Sequence, residues 1–150
     1  MAQVDFYILP DDQPASLQHY VCKLAEQAWL AGQRVLIQTD SANDSQQLDE
    51  LLWSIRSDSF IPHGIATLEA VDQQQPILIS HQKVNDTQFH YVVNISSRPA
   101  DITPENMPEK SLKIDEILNQ NEDRKQTGRQ LYKTYRALGY QLQHHTLDNV

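Results

Sequence analysis

Cysteine is nearly absent: the lone Cys22 can form no internal disulfide. The N-terminal MAQVDFYILPDDQ has neither the basic start nor the apolar run of a secretory signal, so a cytoplasmic chain is expected. Long apolar runs are missing too. None approaches the roughly 20 residues that span a bilayer, which argues against membrane insertion. Glycine is scarce, with Gly32, Gly64, Gly128 and Gly139 as the whole complement, and the four form no motif. Positive charge is thin over most of the chain: residues 1–123 carry 7 basic against 19 acidic side chains, a net of -12. Such a body repels nucleic acid.

What is present is one concentrated exception. Arg124, Lys125, Arg129, Lys133 and Arg136 place five of the twelve Lys and Arg residues within thirteen positions, and no acid follows them until Asp148. The segment 124–147 is therefore +5, and Asp148 returns the total to -8. With 150 residues, 39% apolar and 21% charged, the chain has the size and composition of a single soluble domain, 1–150, able to bury roughly 70% of its unfolded surface.

Apolar periodicity orders the elements. VDFYIL (4–9) reads as a strand closed by PDDQP. ASLQHYVCKLAEQAWLAG (15–32) has helical spacing and Gly32 as a stop, RVLIQT (34–39) reads as a buried strand, and SANDSQQLDELLWSI as a capped helix. SDSFIPHG is expected to be a loop, PILIS (76–80) and FHYVVNIS (89–96) two further strands, and 97–110 a Pro-rich connection. A last helix is expected from about Leu112, most clearly from Asp123 to Leu138, stopped by Gly139, with YQLQHHTL as a closing strand. Alternating strands and helices predict an α/β fold: a single-domain, Rossmann-like, mainly parallel sheet flanked by helices.

That fold class raises the prospect of nucleotide binding, yet the first strand–helix junction is LPDDQPAS. Two aspartates and two prolines stand where a phosphate cradle needs glycines and free N–H groups. No nucleotide-binding loop is therefore read here. Cys22 falls mid-helix among apolar positions and reads as a small buried hydrophobe rather than a nucleophile. The six histidines have no zinc-site spacing, and adjacent His144 and His145 would face opposite sides of a strand. Asp11 and Asp12 read as solvated turn residues. No catalytic set, metal site or cofactor is expected, and the fold class alone does not make an enzyme.

Binding remains. On a helix, Lys125, Arg129, Tyr132, Lys133 and Arg136 share one face, while Gly128, Leu131, Tyr135 and Leu138 lie on the buried one. The stripe reads either as a solvated face or as an anion site, and the lack of acids at i, i+4 favours the second. Single-stranded nucleic acid calls for a longer basic track and several aromatic platforms, against one Tyr132 and Tyr140 here. A compact carboxylate ligand suits a short mixed stripe better. A second patch is LDELLWSIRSDSFIPHG (48–64), where Trp53, Phe60, Ile61 and Pro62 form either an exposed aromatic anchor or a core under a loop.

The segments FYIL (6–9), AWLAGQRVLIQT (28–39), LDELLW (48–53), SFIPH (59–63) and RQLYKTYRALGYQL (129–142), in this order and spacing, resemble the chi-subunit family of the bacterial DNA polymerase III holoenzyme. The resemblance implies a Rossmann-like fold without nucleotide chemistry, and two partners. One is the acidic, Phe-ending C-terminal tail of single-stranded DNA-binding protein, whose site falls on Lys125, Arg129, Tyr132, Lys133 and Arg136 with Leu118 as a pocket wall. The other is the psi subunit, bound one to one and linking to the clamp loader, whose site falls on Trp53, Phe60, Ile61 and Pro62, with a helicase as a second candidate for that patch. The function implied is a non-catalytic bridge in DNA replication, monomeric until a partner binds. Two rival readings remain: direct single-stranded nucleic-acid binding by the same stripe, and a degenerate nucleotide-binding hydrolase.

Overall fold

The runs VLIQ, ILIS and YVVN are buried at every position, as strands covered on both faces must be. In the computed structural model, which describes residues 3–54, 63–65, 75–84, 89–102 and 112–148, they are three adjacent strands of a seven-stranded sheet. The elements are β1 (Gln3–Ile8), α1 (Pro14–Leu30), β2 (Val35–Gln38), α2 (Ala42–Ser54), β3 (His63–Ile65), β4 (Ile77–Ser80), β5 (Tyr91–Asn94), β6 (Lys113–Leu118), α3 (Glu122–Ala137) and β7 (Gln141–Thr146). In space the strands run β3-β4-β2-β5-β6-β1-β7, every neighbouring pair parallel. The α/β reading and the parallel sheet stand.

Two cores flank the sheet. One joins Val21, Cys22 and Ala25 of α1 with Leu48 and Leu52 of α2 to Ile37, Ile79, Val93 and Ile117. Cys22 is buried there, and burial pushes its thiol up to about 12, so it packs rather than reacts. The other core sets Leu131 and Tyr135 of α3 against Phe6, Leu36, Val92, Ile114 and Leu118. Among the described residues no helix is long and apolar enough to cross a membrane.

Three sequence expectations change. Residues from Leu112 onward do not begin the last helix: Lys113–Leu118 is a strand between β5 and β1. Its adjacent acids, which resemble a helix surface, are both fully buried and point to opposite faces. Asp115 accepts a short hydrogen bond from the Tyr91 hydroxyl and lies 3.7 Å from Lys113 Nζ. Glu116 Oε2 accepts from the Tyr135 hydroxyl at 2.5 Å and Asn94 Nδ2 at 2.7 Å, with Arg124 3.8 Å from its other oxygen. His63 and Gly64 belong to strand β3 rather than a loop; the rest of that expected loop, from Ser57 to Pro62, lies outside the described residues. Leu138 is not core. The helix ends at Ala137, Gly139 turns the chain at φ +83°, and Leu138 is left 56% exposed.

Gly128 sets how closely α3 approaches the sheet. A Cβ there would lie 2.5 Å from Leu118 Cδ1, so the helix backbone rests on the Leu118 side chain. Overpacking of this kind costs ~1–3 kcal/mol, offset by ~1 kcal/mol of better helix propensity. In urea unfolding, Gly128→Ala is expected to lose ~1 kcal/mol in the native background, and to gain up to ~1 kcal/mol once Leu118 is also changed to Ala, where only the helix-propensity gain remains. Equal costs in both backgrounds would separate the two residues.

Burial also pushes the Asp115 carboxyl up to about 6 from its ordinary 3.8, against the pull of Tyr91 and Lys113. The folded chain then holds a proton that the unfolded chain has released, so this group's contribution to stability declines as pH rises through that window. Relative to wild type, Asp115→Asn should therefore gain up to ~3 kcal/mol between about pH 4 and pH 6, read from melting curves across that range. A variant-minus-wild-type difference that stays constant would mean that Asp115 is charged throughout.

Candidate functional site

Helix α3 starts on Asn121, whose side-chain oxygen accepts from the Arg124 N–H at 3.1 Å. The first basic residue of the cluster then turns inward. Arg124 donates from Nε to the Ile117 carbonyl at 2.9 Å, from Nη1 to that of Ser96 at 2.8 Å and from Nη2 to that of Asn94 at 3.2 Å. It is a structural residue and lies outside the stripe. With Gly128, Leu131 and Tyr135 buried, the adjoining face of the helix presents Lys125, Arg129 and Lys133 beside the edge of the sheet.

These three cations border a groove of about 540 Å³. Its floor is apolar, made by Phe6 and Ile8 of β1, Leu118 of β6, and Tyr132. Asn119 and Gln120 line it from the β6–α3 turn, and His144 and Thr146 from β7. Phe6, Tyr132 and His144 form a three-ring cluster with centroids 5.0–5.7 Å apart. Of the six residues assigned to the stripe site, Lys125, Arg129, Tyr132, Lys133 and Leu118 line this one groove. Arg136 is exposed one turn beyond and does not line it.

The cations are not wholly without local partners. Lys125 Nζ lies 3.7 Å from Glu122 Oε1, a surface pair three residues apart worth at most ~1 kcal/mol. Arg129 donates to the Gln126 side-chain oxygen at 3.0 Å. Among the described residues no acid pairs with Arg129, Lys133 or Arg136. Tyr140, considered above as a second aromatic platform, instead stacks on buried Tyr135 at 5.8 Å. Sequence reasoning missed Phe6, Ile8, Thr146 and His144 as groove residues. Strand parity carried the signal for His144, since its neighbour His145 points the other way, stacked on Tyr7 and 3.0 Å from Asp5.

The second patch is partly visible. Trp53, in the last turn of α2, is 59% exposed and meets the His63 ring edge-on at 5.3 Å. His63 Nε2 in turn lies 3.1 Å from Asp49 Oδ1. Trp53 is thus a surface ring rather than core. Phe60, Ile61 and Pro62 lie outside the described residues.

Nothing at the first strand–helix junction resembles a phosphate cradle. Asp11 already sits at the start of α1, accepting from the Gln13 N–H at 3.0 Å and the Ser16 hydroxyl at 2.9 Å, so a carboxylate stands where an anion would bind. Pro14 occupies the first turn. Among the described residues no three His, Cys, Asp or Glu side chains converge on a metal position.

Comparison with known proteins follows the same lines. The protein-family model described as DNA polymerase III chi subunit, HolC, matches residues 1–143. DNA polymerase III subunit chi of Pseudomonas aeruginosa is 29% identical over the full length of both chains. The subunit chi of Escherichia coli is 27% identical over 95% of this chain and 96% of its own, and that of Haemophilus influenzae 28% over 91% and 92%. Among solved structures, T4 UvsW superposes with a TM-score of 0.63 at 9% identity, over 97% of this chain but 41% of that one. That likeness is one of fold. With the family model spanning almost the whole sequence, the chain belongs to the family of DNA polymerase III chi subunits and is a replication accessory subunit.

Proposed function

We propose that this chain is a non-catalytic bridge within the replisome: its α3 groove captures the acidic C-terminal tail of single-stranded DNA-binding protein, and its Trp53 side docks the psi subunit and, through it, the clamp loader. The observation that carries the reading is the groove itself, a cation-bordered apolar cleft on an otherwise acidic chain. A tail that ends in an aromatic residue needs an apolar floor for the ring and a cation for the terminal carboxylate. Phe6, Leu118 and Tyr132 supply the floor. Arg129 has the planar fork that grips a carboxylate in two places, while Lys125 and Lys133 add field. Arg136, one turn outside, acts on the approach of acidic residues further along the tail. A long phosphate track fits less well, because the groove is short and its rings pack against one another rather than standing free for base stacking.

Titration calorimetry with a synthetic acidic peptide ending in Phe tests the groove. Arg129→Ala should weaken binding by about 10- to 100-fold, the worth of a charge-assisted contact, and affinity should fall as salt rises. Equal binding by both proteins would remove Arg129 from the site, and an oligonucleotide that binds as well as the peptide would favour the nucleic-acid reading.

For the other face, Trp53→Ala should weaken the psi complex by about tenfold or more, leave peptide affinity unchanged, and alter stability by less than ~0.5 kcal/mol because the ring is mostly exposed. Simultaneous loss of both partners, measured by pull-down and calorimetry, would overturn the assignment of separate faces.

A further inference from the structure

Among the described residues strand β7 ends the sheet, and none covers its outer edge. Natural proteins blunt such edges with lysines, prolines, bulges or a covering segment. QLQHHT has no Lys, Pro or acid, its pairing with β1 runs unbroken from Gln141 to Thr146, and four of its six residues are exposed. Among the described residues only β1 pairs with it.

One hydrogen bond fixes which backbone groups face outward. The Leu147 N–H donates to the Ile8 carbonyl at 2.9 Å. Alternate residues of a parallel strand direct their N–H and C=O to the same side, so Gln143 and His145 face β1 as Leu147 does. Leu142, His144 and Thr146 aim theirs away from the sheet. Those same three residues carry the side chains of the groove face: His144 and Thr146 line the groove, and Leu142 packs against the core beneath α3. Free backbone polarity and groove floor therefore meet along one margin.

The margin is also cation-rich. Arg129 and Lys133 border the same groove, and no acid lies between positions 124 and 147. A second copy of this chain would bring two such margins together, like charge against like, between molecules of net charge -8. An acidic chain is attracted instead. Six residues of strand offer about 20 Å of edge, enough to hold a segment that leads into the groove.

We infer that an acidic segment in extended conformation adds to β7 as an eighth strand, bonding the outward backbone groups of Leu142, His144 and Thr146 while its alternate side chains reach over the groove toward Arg129 and Lys133. This rests on the tail reading above and adds a main-chain component to it. Such a component tolerates changes in the segment's side chains, which the cation contacts alone do not.

Amide hydrogen exchange followed by NMR, on the full chain with and without a saturating acidic Phe-ending peptide long enough to cover β7, tests it. The peptide should slow exchange of the Leu142, His144 and Thr146 amides by at least about tenfold, with smaller changes at Gln143 and His145, already bonded to β1. A peptide that binds, and loses binding in Arg129→Ala, yet leaves those three amides exchanging at their free rate would overturn the eighth strand and keep the groove reading. A peptide that gives no calorimetric signal overturns both. Protection of the three amides in the free protein that grows with protein concentration would assign the edge to a second copy and overturn the acidic occupant.

Discussion

The fold around the groove hangs on the interaction between Arg124 and the carboxyl ends of β5 and β6. Its guanidinium is bonded to three backbone carbonyls and faces the fully buried Glu116 at 3.8 Å. Glu116 is held from the other end of the same helix by the Tyr135 hydroxyl, which also accepts the Ala100 N–H at 2.8 Å. Helix α3 is thus pinned at two places, three turns apart. Rotating it would leave a carboxylate and a guanidinium buried without partners, at a cost of several kcal/mol. The pinning is not free. Burial pushes the Glu116 carboxyl up to about 7 even with Arg124, Tyr135 and Asn94 drawing it down, so the network sets geometry more than it adds stability. With the helix angle fixed, Gly128 must face Leu118 and the cations must face the sheet margin.

The same residues decide where a ligand does not go. Open parallel sheets bind their ligands in the crevice at the carboxyl ends of the strands. Here the row that crosses those ends, Ser80, Gln38, Asn94 and Glu116 in register, is tied up internally. Gln38 Nε2 donates to the Ser96 hydroxyl and the Pro99 carbonyl, both at 2.9 Å, and its oxygen accepts from the Asp101 N–H at 2.8 Å. Arg98 donates to the Thr39 carbonyl at 2.9 Å and pairs with Asp101. The crevice is filled by the chain's own side chains, with Arg124 closing it. Followed toward the other edge, the row continues through Phe6 to His144 and so passes from a sealed polar network into the groove. On the proposed reading the recognition site lies sideways of the strand ends, at the β1–β7 margin.

How much of this the sequence announced depends on whether the signal was periodic. The central strands and all three helices were legible because apolar spacing is set by the backbone itself, and the stripe of α3 was legible for the same reason. β6 was hidden because KIDEIL places two acids side by side. A strand can bury both only if tyrosines, an asparagine and an arginine from elsewhere meet them, and those partners sit between 8 and 24 positions away. β3 was hidden by its three-residue length. The groove floor was hidden in a different way: Phe6 and His144 come from opposite ends of the chain and meet only through the β1–β7 ladder, a non-local pairing that no window of sequence contains. Arg124 read as part of the positive cluster because charge is visible in sequence and orientation is not.

The formal charge of -8 overstates how hostile the surface is to an acidic ligand, and the reason is again burial. Asp5, Asp115 and Glu116 count toward that sum, yet each is at most 4% exposed and engaged by His145, Lys113 or Arg124. The exposed acids that remain act over distances that salt cuts short: at physiological ionic strength the screening length is about 8 Å. On the proposed reading an acidic segment approaching from solution is therefore indifferent to most of the body and is attracted within reach of Lys125, Arg129, Lys133 and Arg136. Proteins that offer a broad positive field collect any polyanion. A short cationic border around an apolar floor, set in an acidic surround, selects for a ligand whose charge is local and whose end is apolar, and the fixed rotation of α3 keeps that border in register with the floor.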